Sequence, residues 1–109
     1  MKLRIYSVVL ELVRSLRPYL PAIRARSGAL GDQLERALIS VPLNLAEGAY
    51  SRGKNRQARY QTALGSAREV LACLETAEAL GWLQPLEPAL QARFREVIGT
   101  LVRLVAPQR

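Results

Sequence analysis

The fold of this chain is set by the stretch from residue 55 to residue 80, which reads NRQARYQTALGSAREVLACLETAEAL. Apolar side chains recur in it every three or four residues, which is the spacing of one face of an α-helix. Asn55 suits an N-cap and Gly81 is typical of a helix C-terminus, so the pattern predicts one helix between them. The predicted inward positions are Tyr60, Ala63, Leu64, Ala67, Val70, Leu71, Leu74 and Ala77.

Three further segments show the same period, and none has the alternation of a β-strand. One begins near Leu3, one runs from about Ala29 to Ala49, and the last ends near Val105. Prolines, glycines and a capping serine mark their limits. The boundary signals are Pro18 and Pro21, which kink or end the first segment, Ser27 or Gly28 before the second, Pro85 or Leu86 at the start of the last and Pro107 at its end.

The lengths of these segments and of their links predict the architecture. Helices of roughly 20 residues are about 30 Å long, and links of about five to eight residues join antiparallel neighbours. We therefore expect an all-α fold, an antiparallel up-down-up-down four-helix bundle that forms a single domain over residues 1–109.

The composition argues against most kinds of enzyme. The chain has 109 residues, no histidine and a single cysteine, Cys73. Without histidine there is no Ser-His-Asp or Cys-His pair, and a di-iron bundle site lacks its usual imidazole ligands. Cys73 lies between two apolar residues and is interpreted as a packed thiol. We expect no catalytic residue, no metal site and no cofactor.

The distribution of charges along the chain argues against a membrane segment. In residues 1–15, charges at Lys2, Arg4, Glu11 and Arg14 interrupt every apolar run, so no signal peptide is expected. No stretch reaches the roughly 18 uncharged apolar residues that would span a bilayer. We expect a cytoplasmic protein with no membrane partner.

The net charge of +7 is concentrated in one half of the chain. Residues 1–60 hold eleven Lys and Arg against four acidic residues, whereas residues 61–109 hold five of each kind. A basic cluster attracts phosphates, so the sequence predicts nucleic-acid binding here, and a solvated charged loop is the alternative. The predicted contacts are Arg52, Lys54, Arg56 and Arg59, with Arg24, Arg26 and Arg36 as candidate neighbours.

Two patches break the helical pattern of the second and third predicted helices. Residues 40–48 read SVPLNLAEG and place Pro42 inside a helix, where a proline removes one backbone hydrogen bond. Residues 63–69 read ALGSARE and place Gly65 inside a helix at a cost of about 1 kcal/mol in helix propensity. We expect Gly65 to compensate by allowing another helix to approach closely.

The polar residues of these two patches predict a shared network between the two helices. The network is interpreted as a structural one that sets the register of the helices. The alternative is a binding or catalytic pocket that uses Glu47 and Glu69 as paired carboxylates. We expect Asn44 and Glu47 to meet Ser66, Arg68 or Glu69, with Ser40 as a further member.

Together with residues 31–37, GDQLERA, these patches resemble one known family. Their order and spacing are similar to those of the four-helix bundle family encoded in intervening sequences of bacterial 23S rRNA genes. The resemblance implies a four-helix protomer that assembles into a homopentamer. A related branch, the accessory variability protein of diversity-generating retroelements, implies a basic pentamer that binds nucleic acid and a reverse transcriptase.

These observations predict a binding protein. We expect a noncatalytic, self-assembling four-helix bundle that binds the RNA or DNA backbone and serves as an accessory to a nucleic-acid enzyme. Few aromatic residues other than Tyr50 and Tyr60 are available for base stacking, which argues against sequence-specific recognition of a single strand. The alternative is a structural or protein–protein interaction module that binds no nucleic acid.

Overall fold

The computed structural model describes residues 3–106, and this range is all-helical, with no strand. It contains five helices rather than the four predicted, because the first predicted segment is divided in two. No helix of residues 3–106 is long and apolar enough to cross a membrane. The predicted end signal Pro107 lies outside the described residues. The helices are α1 Arg4–Leu16, α2 Tyr19–Arg24, α3 Gly28–Ala49, α4 Gly53–Ala79 and α5 Pro88–Val105.

Pro18 explains the division between α1 and α2. A proline has no backbone N–H and its ring clashes with the carbonyl four residues earlier, so α1 ends at Leu16. Pro18 then occupies the N-cap of α2. Pro21 lies in the first turn of α2, where the backbone N–H groups have no partner within the helix in any case. The two prolines therefore end one helix and permit the next.

The predicted start of α3 is confirmed. The hydroxyl of Ser27 accepts a hydrogen bond of 3.1 Å from the backbone N–H of Leu30, which satisfies one of the free donors of the first turn. The helix continues without interruption through Pro42 to Ala49. Gly81, the predicted stop signal of α4, has a φ of +77°, a left-handed conformation that glycine adopts without strain.

Two predicted helix starts are wrong by two or three residues. Helix α4 begins at Gly53, with Arg52 as its N-cap, so Asn55 lies inside the helix instead of capping it. Helix α5 begins at Pro88, not at Pro85 or Leu86. The residue before a proline is driven out of the helical region, and Glu87 accordingly has a ψ of 147°.

The core is one continuous cluster to which every helix contributes. Helices α3 and α4 share the most extensive interface, α5 packs on α4, α1 lies against α3 and α5, and α2 covers the start of α3. The largest fully buried side chains are Phe94, Leu16, Ile23, Leu34, Leu45, Leu74, Leu101, Val9, Val70 and Val97. This packing fixes the α3–α4 hairpin, whose connecting turn carries the basic cluster.

Candidate nucleic-acid interface

The basic turn, defined as residues 50–59, comprises the three residues between α3 and α4 and the first seven residues of α4. It contains no acidic residue. Arg52 and Lys54 are exposed on it, and their side chains make no ion pair within residues 3–106. Gly53 between them has a φ of +56°, which turns the chain sharply into α4. The turn therefore presents two cationic side chains to solvent.

Arg56 stabilises the same turn by donating hydrogen bonds to three backbone carbonyls. Its Nε donates to the carbonyl oxygens of Ser51 at 2.9 Å and of Gly48 at 3.2 Å, and its Nη2 donates to that of Ala49 at 3.5 Å. These carbonyls lie at or just beyond the C-terminus of α3, where the helix leaves acceptors unpaired and carries a partial negative charge. Arg56 thus braces the turn from within.

Arg59 is paired with an acid. One of its Nη atoms lies 2.8 Å from Glu47 Oε2 and donates to Asn44 Oδ1 at 3.3 Å. Both charged side chains are half-exposed, so the pair contributes little to stability. It does neutralise the local charge. Of the four cations predicted as contacts, Arg52 and Lys54 are therefore the two that are available to an anion.

Close packing of α3 on α4 beneath the turn depends on Gly48. A Cβ at Gly48 would lie 2.5 and 2.7 Å from carbon atoms of the Tyr60 ring, so only a glycine fits. The expectation that Gly65 allows another helix to approach closely is wrong, because Gly65 is exposed and a Cβ there would meet nothing within 4 Å. No local signal in the sequence distinguishes these two glycines.

The structure brings three of the predicted network residues together between α3 and α4. The hydroxyls of Ser40 and Ser66 share a hydrogen bond of 2.6 Å, and Ser66 is buried. The amide of Asn44 donates to both the backbone carbonyl and the hydroxyl of Ser40, each at 3.0 Å. These contacts satisfy the polar atoms that cross the interface, as a structural network requires.

Of the three remaining predicted members, two have other partners and one has no side-chain partner within residues 3–106. Glu47 pairs with Arg59, and Glu69 accepts a hydrogen bond of 3.1 Å from Gln33, a residue that the network prediction missed. Arg68 is exposed and makes no side-chain hydrogen bond within residues 3–106. Glu47 lies beside Arg59, and position 59 is about 15 Å from position 69 along α4 at 1.5 Å per residue. The interpretation of Glu47 and Glu69 as paired carboxylates is therefore wrong.

The other predicted cations do not surround the basic turn. Arg24 and Arg26 precede α3, and the basic turn follows it, so roughly 33 Å of helix separates them. Arg36 is exposed about 20 Å along α3 from Ala49. The side chain of Arg24 is held by Glu35 at 2.8 Å and Asp32 at 3.0 Å, and these hydrogen bonds raise the pKa of its guanidinium. The expectation that Arg24 and Arg26 adjoin the cluster is wrong.

Helix α3 also carries an apolar ridge, defined as Ile39 and Leu43, which are 52% and 56% exposed. The ridge forms one wall of a groove of about 320 Å³ between α3 and the first two helices. Arg17 and Glu35 lie at the rim of this groove, and its remaining lining residues are Val13, Leu20, Leu38 and Pro42. Ridge and groove together form an apolar surface of the kind that protein partners cover.

The surroundings of Cys73 agree with its interpretation as a packed thiol. Its thiol is buried, and burial, with a smaller contribution from the charge of Glu69, raises its pKa. A thiol that stays protonated at neutral pH is a poor nucleophile and a poor metal ligand. Residues 3–106 contain no group of three or more His, Cys, Asp or Glu residues placed to hold a metal ion.

Comparison with known proteins gives a family but no close relative. A family model described as 23S rRNA-intervening sequence protein matches residues 2–102. No curated protein and no solved structure matches the chain significantly.

Proposed function

Because this chain belongs to the 23S rRNA-intervening sequence protein family, whose name states no activity, we propose a function from its own surface. The protein is a noncatalytic, self-assembling module that binds the phosphate backbone of RNA or DNA through the basic turn, without sequence readout. The observation that carries this proposal is the exposure of Arg52 and Lys54 on a turn without acidic residues.

Two cations on a rigid turn make a weak phosphate site. Backbone binding is electrostatic, and each phosphate neutralised contributes about 0.9 to the slope of log affinity against log salt concentration on duplex DNA. One protomer therefore binds weakly and with a shallow dependence on salt. Several copies of the turn on one assembly raise the overall affinity, since each further contact becomes intramolecular.

The proposed self-assembly uses the apolar ridge and its groove. Most of the residues that line the groove are apolar and the ridge beside it is exposed, so the ridge of one copy can pack into the groove of another. We propose that the occupant is a second copy of the chain. Helices α1, α3, α4 and α5 form the proposed up-down-up-down four-helix bundle.

Two finer parts of the proposal, a total of five protomers and a partner protein such as a reverse transcriptase, come from the family resemblance. A third part, a cytoplasmic location, comes from the charged and apolar pattern of the sequence. A ring of five would repeat the basic turn around one assembly, which is the arrangement that multivalent backbone binding needs.

Nucleic-acid binding is tested by charge reversal in two matched places. The variant Arg52→Glu with Lys54→Glu removes the two available cations, and Arg26→Glu with Arg36→Glu makes the same change in net charge outside the turn. Filter binding of RNA and DNA at two salt concentrations should show at least a ten-fold loss for the first variant and less than three-fold for the second. Absence of binding at low salt, affinity independent of salt or equal losses in both variants would each refute the proposal.

The apolar ridge supports a second candidate function, a protein-interaction module without nucleic-acid binding. The variant Ile39→Glu with Leu43→Glu separates self-assembly from that role. Light scattering should show an assembly for the wild type and a mass near 12.1 kDa for the variant. A monomeric wild type would refute self-assembly, and the ridge would then be a surface for a different protein.

A further inference from the structure

We propose that Tyr50 is a base-stacking residue, so that the basic turn prefers single-stranded RNA or DNA to a duplex. This inference rests on the proposed function. The ring of Tyr50 is 79% exposed, the most exposed of the large hydrophobic side chains of residues 3–106. Tyr60, in contrast, is 3% exposed and packs against Gly48 in the core. Of the two aromatic residues near the cluster, one belongs to the fold and one is available to a ligand.

The backbone that carries Tyr50 is held in place from both sides. Its backbone N–H donates to the carbonyl of Glu47 at 3.2 Å, in the last turn of α3, and also to that of Gly48. The following residue, Ser51, donates its N–H to Gly48 at 3.1 Å and its hydroxyl to the Glu47 carbonyl at 2.8 Å. Arg56 then holds the Ser51 carbonyl. A ring on a fixed backbone loses less conformational entropy when it binds than a ring on a mobile loop.

The available cations stand within reach of a nucleotide stacked on this ring. Arg52 is two residues from Tyr50, so their Cα atoms are at most about 7 Å apart, and the Cα atom of Lys54 is at most about 14 Å away. Both carry long side chains. A base on the ring places its own phosphates beside these cations, and the combination of a stacking ring and a basic track is how proteins hold single strands.

The preference for a single strand follows from the geometry of stacking. In a duplex each base face is covered by the neighbouring base pairs, and only an unpaired base can leave the stack to lie on a side chain. Every base has a π-face, so stacking tolerates any sequence, in agreement with backbone binding that reads none.

The test compares single and double strands with variants of the ring. The wild type, Tyr50→Ala and Tyr50→Phe are titrated with oligouridylate, oligothymidylate and a DNA duplex of the same length. The alanine variant should bind both single strands about five-fold more weakly or worse and the duplex within two-fold of wild type, while phenylalanine should restore single-strand binding. Leu80→Ala is the matched control, because Leu80 is 56% exposed at the far end of α4 and should leave all affinities unchanged.

A direct readout complements the titration. Photocrosslinking with an oligonucleotide that contains 5-iodouridine should label Tyr50, and the label should disappear in Tyr50→Ala. Light scattering of the alanine variant should show the same assembly as the wild type.

The outcomes separate this inference from the proposed function. If Tyr50→Ala binds single strands as well as wild type while Arg52→Glu with Lys54→Glu does not bind, backbone binding stands and stacking is refuted. If Tyr50→Ala falls apart into monomers, the ring belongs to a subunit interface and stacking is again refuted. If the wild type binds no nucleic acid, both proposals fail together with the basic turn as a site.

Discussion

The two ends of α3 use the same kinds of residue but differ in how their arginines are paired. At each end a residue from a neighbouring helix packs against a glycine of α3. At each end an arginine from a neighbouring segment also forms hydrogen bonds to residues in or next to α3. At the N-terminal end the glycine is Gly31, where a Cβ would lie 3.0 Å from Arg24. The guanidinium of Arg24 is then held between two carboxylates, Asp32 and Glu35, which neutralise it.

At the C-terminal end the equivalent parts leave positive charge exposed. Gly48 packs against Tyr60, and the bracing arginine, Arg56, donates to neutral carbonyls and so keeps its full charge. Arg52 and Lys54 add to that charge beside it. The surface potential of a segment therefore depends on where its acidic residues lie and not only on how many arginines it contains.

The largest expected effect is on the packing at the two glycines. Gly48→Ala should lower the free energy of unfolding by about 2 kcal/mol, because the new Cβ overlaps the buried ring of Tyr60. Gly31→Ala should lower it by less than about 1 kcal/mol, because the new Cβ would lie 3.0 Å from Arg24 Cβ and 3.1 Å from Arg24 Cα, a contact that requires only a small shift of α2, and because alanine favours the helix. Urea denaturation of both variants measures the difference, and equal losses would mean that the two ends are packed alike.

The next effect concerns the two bracing arginines. Arg56→Ala should lower the free energy of unfolding by about 1 to 2 kcal/mol, because it leaves the carbonyls of Ala49 and Ser51 without this donor. Arg24→Ala removes exposed ion pairs and should shift the melting temperature less than Arg56→Ala does. Thermal melts followed by circular dichroism give the order, and a larger shift for Arg24→Ala would reverse our account of which end is braced.

A glycine remote from both ends provides a stabilising control. Gly65→Ala should raise the free energy of unfolding by about 1 kcal/mol, because the position is an open one inside α4 and alanine has the better helix propensity. The same denaturation series measures it. A destabilised variant would contradict this and would point to a close neighbour at Gly65 in the assembled protein.

The smallest effect is the pH dependence contributed by Cys73. Burial, with a smaller contribution from Glu69, raises the pKa of the native thiol, so the unfolded thiol ionises at a lower pH than the folded one. Its contribution to stability is therefore present below the ordinary thiol pKa of about 8.5 and is lost as the pH rises above that value. Wild type should lose more stability than Cys73→Ala between about pH 7 and about pH 10. Parallel curves for the two proteins would show that the thiol is not shielded.

Local signals in the sequence were sufficient where a helix boundary depends on its own neighbours. Ser27 caps α3, Gly81 takes a left-handed conformation after α4, and Pro18 lies where α1 ends, all through interactions within a few residues. The start of α4 was missed, because the chain turns at Gly53 under a brace from Arg56 to the preceding helix. That contact depends on how α3 and α4 pack.

The candidate site was predicted in composition and not in detail. The sequence shows a run of cations from Arg52 to Arg59. It does not show which of these side chains are free to bind an anion and which already contact other groups of the protein. Arg59 is neutralised by Glu47, twelve positions earlier on the facing helix. Similarly, Ser66 met Ser40 as part of a network, whereas Glu69 met Gln33 instead of the predicted partners.

The amino-acid sequence is enough to predict the all-helical class, most helix limits, the excess of positive charge before residue 60 and the lack of imidazole chemistry. These depend on residue type and on short-range periodicity. Only the packed helices show which arginines are neutralised, which tyrosine is exposed and which glycine is indispensable. Those outcomes depend on the rotation and register of helices packed side by side, which bring together residues that no local pattern relates.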